Sequence, residues 1–423
     1  MDYDVLGTGG ARARRRAAAA LVGLVVAATV LLGVRNEGAR RLEETRAQVA
    51  ARFGSADPSF FQPPSVAEAD NAATALLRAA LAIRLTTDEQ RLLLATPSDW
   101  SEREGEARAL LVAHAADLAR LRSAAGRSRA SFELDYSAGA DTDLPPFLAL
   151  GRAAQLLQLH AHLAARDGDA ALAAGSIAAL GRLADALWNE PTLVTSLLAA
   201  SYEMRQLEAA RELVVGGTAD AAALAAVRDA ILRRDPAHDL RRAVGGESAS
   251  LLDLLGGPER RRRMGAFWRL VDPVAGDWLV AESLRPHLAL ATAAGLPYPQ
   301  LADRVDRARE EALLAGPYED LVADLARFAR RVKTIAAQRQ LARAALGVRL
   351  AAIEEGEYPA AAAEVASLPA EDPLGGGPVG YERTAAGSAR LTLPAAGEVL
   401  AAIPSPARDR ARSDLLVWEL PPA

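Results

Sequence analysis

The sequence predicts a mainly α protein: an N-terminal transmembrane helix, a multi-helix hairpin and bundle body, and a small C-terminal antiparallel β element. Three observations carry this reading. The 423 residues are 51% hydrophobic but only 4% aromatic, with alanine and leucine dominant, which is the palette of packed helices rather than strands. Residues 17–34, AAAALVGLVVAATVLLGV, contain no charge. The last stretch changes character, with Tyr-Pro, Asp-Pro and three successive glycines followed by short alternating segments.

The elements follow in order. Residues 1–16 form a basic tail ending in the cluster Arg12 to Arg16. As a helix, the apolar run 17–34 would extend about 27 Å at about 1.5 Å per residue, close to the hydrocarbon thickness of a bilayer, so one span is expected. No small-x-small cleavage pattern follows before Arg35, which favours an uncleaved anchor over a signal peptide. Residues 35–64 continue as a juxtamembrane helix to about Phe53, then break at SADPSFFQPPS, a linker expected to lift the next domain off the membrane. The leading arginines are denser and free of acids, whereas Arg35, Arg40, Arg41 and Arg46 are mixed with Glu37, Glu43 and Glu44. This places the N-terminus in the cytoplasm and the bulk of the chain outside it.

Residues 65–355 read as the helical domain. Capping-box pairs Ser65/Glu68, Thr87/Gln90 and Ser101/Glu104 place helices at about 66–84, 88–95 and 100–124. Residues 131–146 alternate apolar and polar side chains and predict an extended edge or short strand. Helices over 146–166 and 169–190 are joined by Arg166-Asp-Gly-Asp169, a glycine and capping aspartate suited to an antiparallel hairpin, and a third runs from Pro191 to about Val215. Further helices are expected at 219–233, 237–255, 274–294, 299–314 and 317–354. Residues 356–423 form the C-terminal element. Pro359 stops the preceding helix, a short AAAAEVASL helix follows, and the glycines after Asp372-Pro373 reverse the chain. Val379–Arg383, Ala389–Leu393 and Leu415–Leu420 then read as strands, with Tyr381, Leu391 and Trp418 packed.

Landmarks in this order resemble a known group. The LDYSAG segment from Leu134, the block from Leu144 to Ala173, NEPTLVTSLLAASYEMRQLEA from Asn189, Leu240–Glu247 and the EGEYP…DPLGGGPVGYER terminus together look like single-span helical proteins of planctomycetes and similar large-genome bacteria. That resemblance implies a helical fold and brings no known activity. The terminal block is also similar to the end of type II secretion pseudopilins, through Tyr358-Pro359, Val365, Leu368, Asp372-Pro373, Gly375 and Tyr381. It implies a shared small β element. The prepilin signal is missing, since Gly10 is followed by ARARRR.

Much chemistry is excluded. With no cysteine there are no disulfides, thiolate nucleophiles or Cys-ligated metals. Lys333 is the only lysine and follows Val332, so no Walker-type Gly-Lys phosphate loop exists. His160-x-His162 would point two imidazoles about 200° apart around a helix, one buried and one exposed. Gly246-Glu-Ser248-Ala-Ser250 lacks the closing glycine of a nucleophile elbow. Glu354, Glu355 and Glu357 read as a solvated helix end, and Asp141-x-Asp143 and Asp167-x-Asp169 as turn and cap residues. Gly7-x-Gly9-Gly10 follows no strand, so a dinucleotide loop fails its context. The densest charge is Glu259 to Met264, whose Arg260, Arg261, Arg262 and Arg263 suit either a solvated helix start or contact with an anionic lipid or acidic partner.

No catalytic, cofactor-binding or metal-ligating set is assigned. A net charge of -5 gives no global pointer to nucleic acid. The expected role is a membrane-tethered, extracytoplasmic interaction or structural protein of a bacterial inner membrane, with residues 17–34 in the bilayer and an envelope protein as partner. Two other readings stay open: an accessory of a secretion or pilus-like machine, and a hydrolase with dispersed active-site residues.

Overall fold

The computed structural model describes residues 8–217, 219–256, 266–312, 324–365, 371–384, 387–401 and 416–422. Helix α1 runs unbroken from Thr8 to Phe53, so the apolar run and the juxtamembrane segment form one rod. Its two parts differ in environment. Leu21, Leu24 and Val30 are 64%, 69% and 58% exposed, whereas Leu42 and Val49 are 6% and 0% exposed. It is long and apolar enough to cross a membrane. Helix α8 (Ala170–Trp188) passes the same test of length and hydropathy but is largely buried, as the central helix of the body.

The body begins with α2 (Ala72–Ala82), α3 (Thr87–Leu93), α4 (Pro97–Glu102), α5 (Glu104–Ala113) and α6 (Ala115–Ala125). Its centre is α7 (Phe147–Arg166), α8 and α9 (Leu193–Val215), three successive helices packed on one another. The α7–α8 turn forms as its sequence demands. Gly168 takes φ +78° and Asp169 accepts a bond from the Leu172 amide at 2.9 Å, capping α8. Then come α10 (Ala221–Ala230), α11 (Pro236–Gly256), α12 (Ala266–Ser283), α13 (Arg285–Ala293), α14 (Tyr298–Glu311) and α15 (Leu325–Glu355). Helix α15 packs on α9 and α10 and ends at Gly356, whose φ of +79° is the left-handed stop that glycine permits.

The C-terminal element is a three-stranded antiparallel sheet in the order β1 (Gly380–Arg383), β2 (Ala389–Thr392), β3 (Val417–Leu420). Leu391 stands opposite Tyr381 on one side and Trp418 on the other, so one face of the sheet is apolar. Leu391 and Trp418 are buried, and Tyr381 is half-buried. The sheet is latched to the body. Arg349 of α15 donates to the Tyr358 hydroxyl at 2.9 Å and to the Pro422 carbonyl at 2.7 Å, and Tyr358 donates to the Pro421 carbonyl at 2.7 Å. An eight-residue helix, α16 (Pro394–Ala401), follows β2 and was not expected.

Several local expectations are corrected. The expected strand within 131–146 is absent among the described residues. Its amides bond to side chains instead: Ser131 to Asn71 at 3.2 Å and Phe132 to Glu190 at 3.1 Å, followed by a 3₁₀ helix, Tyr136–Asp141. The caps sit elsewhere. Thr86 with Glu89 and Thr96 with Asp99 form the capping boxes, while Ser65 bonds Glu133 and the first body helix starts later, behind Asn71. The helix expected at 100–124 is interrupted at Arg103 and His114, and the one expected at 274–294 begins earlier, at Ala266 with Pro273 inside it, and is divided at Leu284 into α12 and α13. The SADPSFFQPPS segment is no free linker. Phe61 is 6% exposed and its ring lies against Gly245 of α11. The AAAAEVASL helix is reduced to a 3₁₀ turn at Ala362–Glu364, with 366–370 outside the described residues.

One buried ion pair ties the central helices together. Glu203 of α9 and Arg339 of α15 are 0% and 3% exposed, joined through Nε–Oε1 and by Nη2–Oε2 at 2.8 Å. Trp188 at the end of α8 donates its indole N–H to Glu203 at 2.9 Å, and the Arg339 guanidinium lies 6.0 Å from its ring centroid. Arg339→Met would leave a buried carboxylate without its cation. We expect it to cost about 3–5 kcal/mol, whereas Arg339→Met combined with Glu203→Leu costs clearly less, as read from thermal unfolding in detergent. A second pair of variants tests packing. Gly246→Ala would drive a methyl into the Pro191 carbonyl and should destabilise by about 1–3 kcal/mol, while Gly105→Ala, with open space at its Cα, should stabilise by about 0.5–1 kcal/mol.

Candidate functional site

The apolar helix meets the body at a close junction. Gly38 packs against the backbone of Trp278, where an added Cβ would approach Trp278 N to 3.0 Å. Arg41 bridges Glu37 at 2.8 Å on its own helix and Glu282 of α12 at 2.9 Å, with its guanidinium 5.9 Å from the Trp278 ring centroid. The bonds from Arg40 and then Arg41 hold the Glu37 carboxyl down at about 2. Beneath them Leu42 and Val49 of α1 join Leu251, Leu252 and Leu255 of α11 and Leu279, Val280 and Leu284 in a separate apolar cluster. Arg52 reaches Thr292 of α13 at the far end. The contacts advance together along both partners, so α1 lies along the body for its last four turns or so.

A second site lies on the opposite part of α11. The C-terminal half of α8 presents Arg182, Asp185 and Asn189 at helical spacing, and the start of α11 presents His238 and Arg242 one turn apart. Between them and the segments at Pro63–Val66 and Ser128–Ala130 is a cleft of about 300 Å³, lined also by Arg129 and Arg234. The Arg234 donors are consumed in building it. It binds Asp239 at 2.9 Å, Asp185 at 3.1 Å, the Asn189 side chain at 3.2 Å and the Trp188 carbonyl at 3.3 Å. Asp185 holds Arg182 at 3.3 Å with its other oxygen. Arg242 spends Nε and Nη2 on the Asn189 and Phe61 carbonyls, the closest bond being 2.8 Å. Burial lowers the Arg242 pKa, opposed by the nearby Glu190. Glu190 sits behind the wall, its carboxylate accepting from Tyr136 at 2.7 Å and from the Phe132 amide, and burial raises its pKa. Arg129 is exposed, and its guanidinium makes no hydrogen bond or ion pair among the described residues.

The residues singled out from sequence are placed as follows. Arg260, Arg261, Arg262 and Arg263 lie outside the described residues, between the end of α11 and the start of α12. His160 and His162 point to different neighbours, Ser176 at 2.7 Å and Glu212 at 2.8 Å, and are half-buried and buried rather than one buried and one exposed. Ser248 is buried inside α11, its hydroxyl donating to the Val244 carbonyl at 2.6 Å. Lys333 is buried in α15, and desolvation brings its pKa down to about 8. Glu354, Glu355 and Glu357 are exposed at the end of α15. Among the described residues no cluster of three His, Asp or Glu side chains is arranged to hold a metal ion.

The sequence reading missed the cleft. Its signal was present in two short polar faces, Arg182-x-x-Asp185-x-x-x-Asn189 and Arg234-x-x-x-His238-x-x-x-Arg242, each spaced for one side of a helix. What joins them is a contact between segments some fifty residues apart, which spacing alone does not reveal. Comparison of the chain with protein-family models, with curated proteins and with solved structures returns no match.

One buried group sets a pH dependence. His287 of α13 is 1% exposed, with only the Ser283 backbone opposing the burial of its ring. Desolvation depresses its pKa to about 4, against an unfolded value of 6.5. Between those values the unfolded chain binds the extra proton, so stability is present above about 6.5 and is lost as pH falls toward 4. From near pH 8 to near pH 5 the loss from this residue is about 2 kcal/mol. Thermal melts across that range should show the loss, and His287→Leu should remove it.

Proposed function

We propose that this chain is a single-span, membrane-tethered helical interaction protein whose body lies outside the cytoplasm of a bacterial inner membrane. The observation that carries the reading is the continuity of α1: one helix is bare along its apolar half and docked along its second half. An apolar rod of that kind is unfavourable in water and suited to hydrocarbon. The docked half fixes the body close to the membrane surface, because no flexible segment lies between Val34 and the first body contacts at Gly38. The arginine-dense, acid-free side of the span is its N-terminal side, which supports a cytoplasmic N-terminus. The body itself, an array of helices with a sheet latched at its end, offers binding surfaces rather than a convergent nucleophile, base and acid among its described residues.

The native chain has no cysteine, which makes topology directly measurable. Leu148, 85% exposed, can be replaced by cysteine with little effect on packing. Leu148→Cys is expected to react with a membrane-impermeant maleimide in cells whose cytoplasm is sealed. Labelling only after lysis would reverse the orientation. The full chain should stay in the pellet after an alkaline wash, and residues 36–423 should appear in the soluble fraction. Recovery of both in the soluble fraction would remove the tether, and failure of cross-linking to capture any envelope protein would remove the interaction role.

A further inference from the structure

We infer that the cleft between α8 and α11 is a binding site for the phosphoryl group of a small soluble molecule. The cleft is built, not incidental. Asp185 holds both Arg182 and Arg234, and Arg234 in turn is clamped by Asp239 and two groups at the end of α8. These contacts preorganise the wall, which lowers the cost of ordering it around a ligand. Arg129, Arg182, Arg234 and Arg242 bring four guanidiniums to one recess. Asp185 and Asp239 answer two of them, and Glu190, behind the wall, faces Arg242. The balance leaves positive charge uncompensated even with Glu190 counted as ionised.

Donor accounting gives the ligand its chemistry. Arg234 is saturated, but Arg129 is free, Arg242 retains Nη1, and Arg182 retains Nη2. Planar guanidiniums that line one recess from three segments match an oxyanion with several acceptor oxygens. A volume of about 300 Å³ is at the small end of ligand sites, so a headgroup-sized molecule fits and a large cofactor does not. The recess shares Arg182 and Asp185 with a neighbouring depression of about 510 Å³, lined by Ala178, Gly181, Ile231 and Leu232 and edged by Asp229 and Arg233, which can receive the organic part of a phosphate monoester.

A phospholipid headgroup shares this chemistry, but the position argues against it. Gly245 lies against the ring of Phe53, the last residue of α1, and Arg242 is almost one turn further along α11. Phe53 is 19 residues beyond Val34 on a continuous helix, about 28 Å at about 1.5 Å per residue. The headgroup layer takes up about 5–7 Å of that, so the lipid surface is about two Debye lengths away when α1 stands upright. Binding of a phosphoryl group at the cleft does not depend on the orientation of the chain; the preference for a soluble source over a lipid headgroup rests on the span proposed above.

The test uses the full chain in detergent micelles, with inorganic phosphate as probe, followed by ³¹P line broadening and calorimetry. Saturable binding is expected in the wild type, weakened at least tenfold by Arg129→Gln, a change that touches no internal bond. Arg242→Lys, which keeps the charge but loses the planar fork and its bonds to the Asn189 and Phe61 carbonyls, should weaken binding and also lower the melting temperature. Arg129→Gln, which should leave the melting temperature nearly unchanged, is therefore the deciding variant. Arg35→Gln, at the far side of α1, serves as a charge control and should bind like the wild type. Equal affinity in Arg129→Gln and wild type, or no saturation by millimolar phosphate, overturns the assignment. Binding to phosphatidylglycerol vesicles without binding to free phosphate also overturns it, in favour of a lipid source.

Discussion

The buried pair of Glu203 and Arg339 is the constraint on which the rest of the body depends. Two ions with 0% and 3% exposure are tolerable only because every bond is matched: two contacts between them and an indole N–H on the same carboxylate. Burial works to lower the Arg339 pKa, yet the attraction of Glu203 prevails and raises it. That geometry fixes α9 against α15 and the end of α8 against both. It also fixes what lies above. Arg339 donates to the Arg234 carbonyl at 3.3 Å, and the Arg234 guanidinium also lies over Trp188, 5.9 Å from that ring centroid. The cleft is therefore the outer face of the same polar spine that holds the core.

Helix α11 connects the two parts of the molecule with separate apolar cores. Its first turns carry His238 and Arg242 at the cleft, its middle packs Gly245 on Phe53 and Phe61 and Gly246 on Pro191, and its last turns supply Leu251, Leu252 and Leu255 to the α1 junction. The adjacent glycines serve two contacts at once, one aromatic and one backbone, and neither leaves room for a methyl. A rigid element that touches both the α1 cluster and the cleft gives the body a fixed standing relative to α1.

The sequence was most legible where local physics suffices. The helical body follows from alanine and leucine content, and the α7–α8 hairpin from Gly168 and Asp169. The sheet follows from alternation around Tyr381, Leu391 and Trp418. It was less legible where a side chain from elsewhere takes over a backbone bond. The segment at 131–135 alternates like a strand, but Asn71 and Glu190 satisfy its amides, so no partner strand is needed. Thr86 rather than Thr87 caps its helix because the reciprocal glutamate is Glu89, a one-residue shift that a pattern of threonines next to each other cannot resolve. The Phe60-Phe61 segment reads as linker by its prolines, yet Phe61 is drawn into the body by the glycine opposite it.

By itself the sequence determined the class of fold, the apolar span-length helix, the terminal sheet and the chemistries closed by having no cysteine and a single lysine. These depend on composition and near-neighbour spacing, which the chain carries locally. Only the tertiary structure decided that the arginines at 129, 182, 234 and 242 share one recess, and that Glu203 meets Arg339 across 136 residues. Electrostatic pairing and cleft shape depend on distance in space. Helix packing sets that distance, and a charged residue's position in the sequence leaves it open.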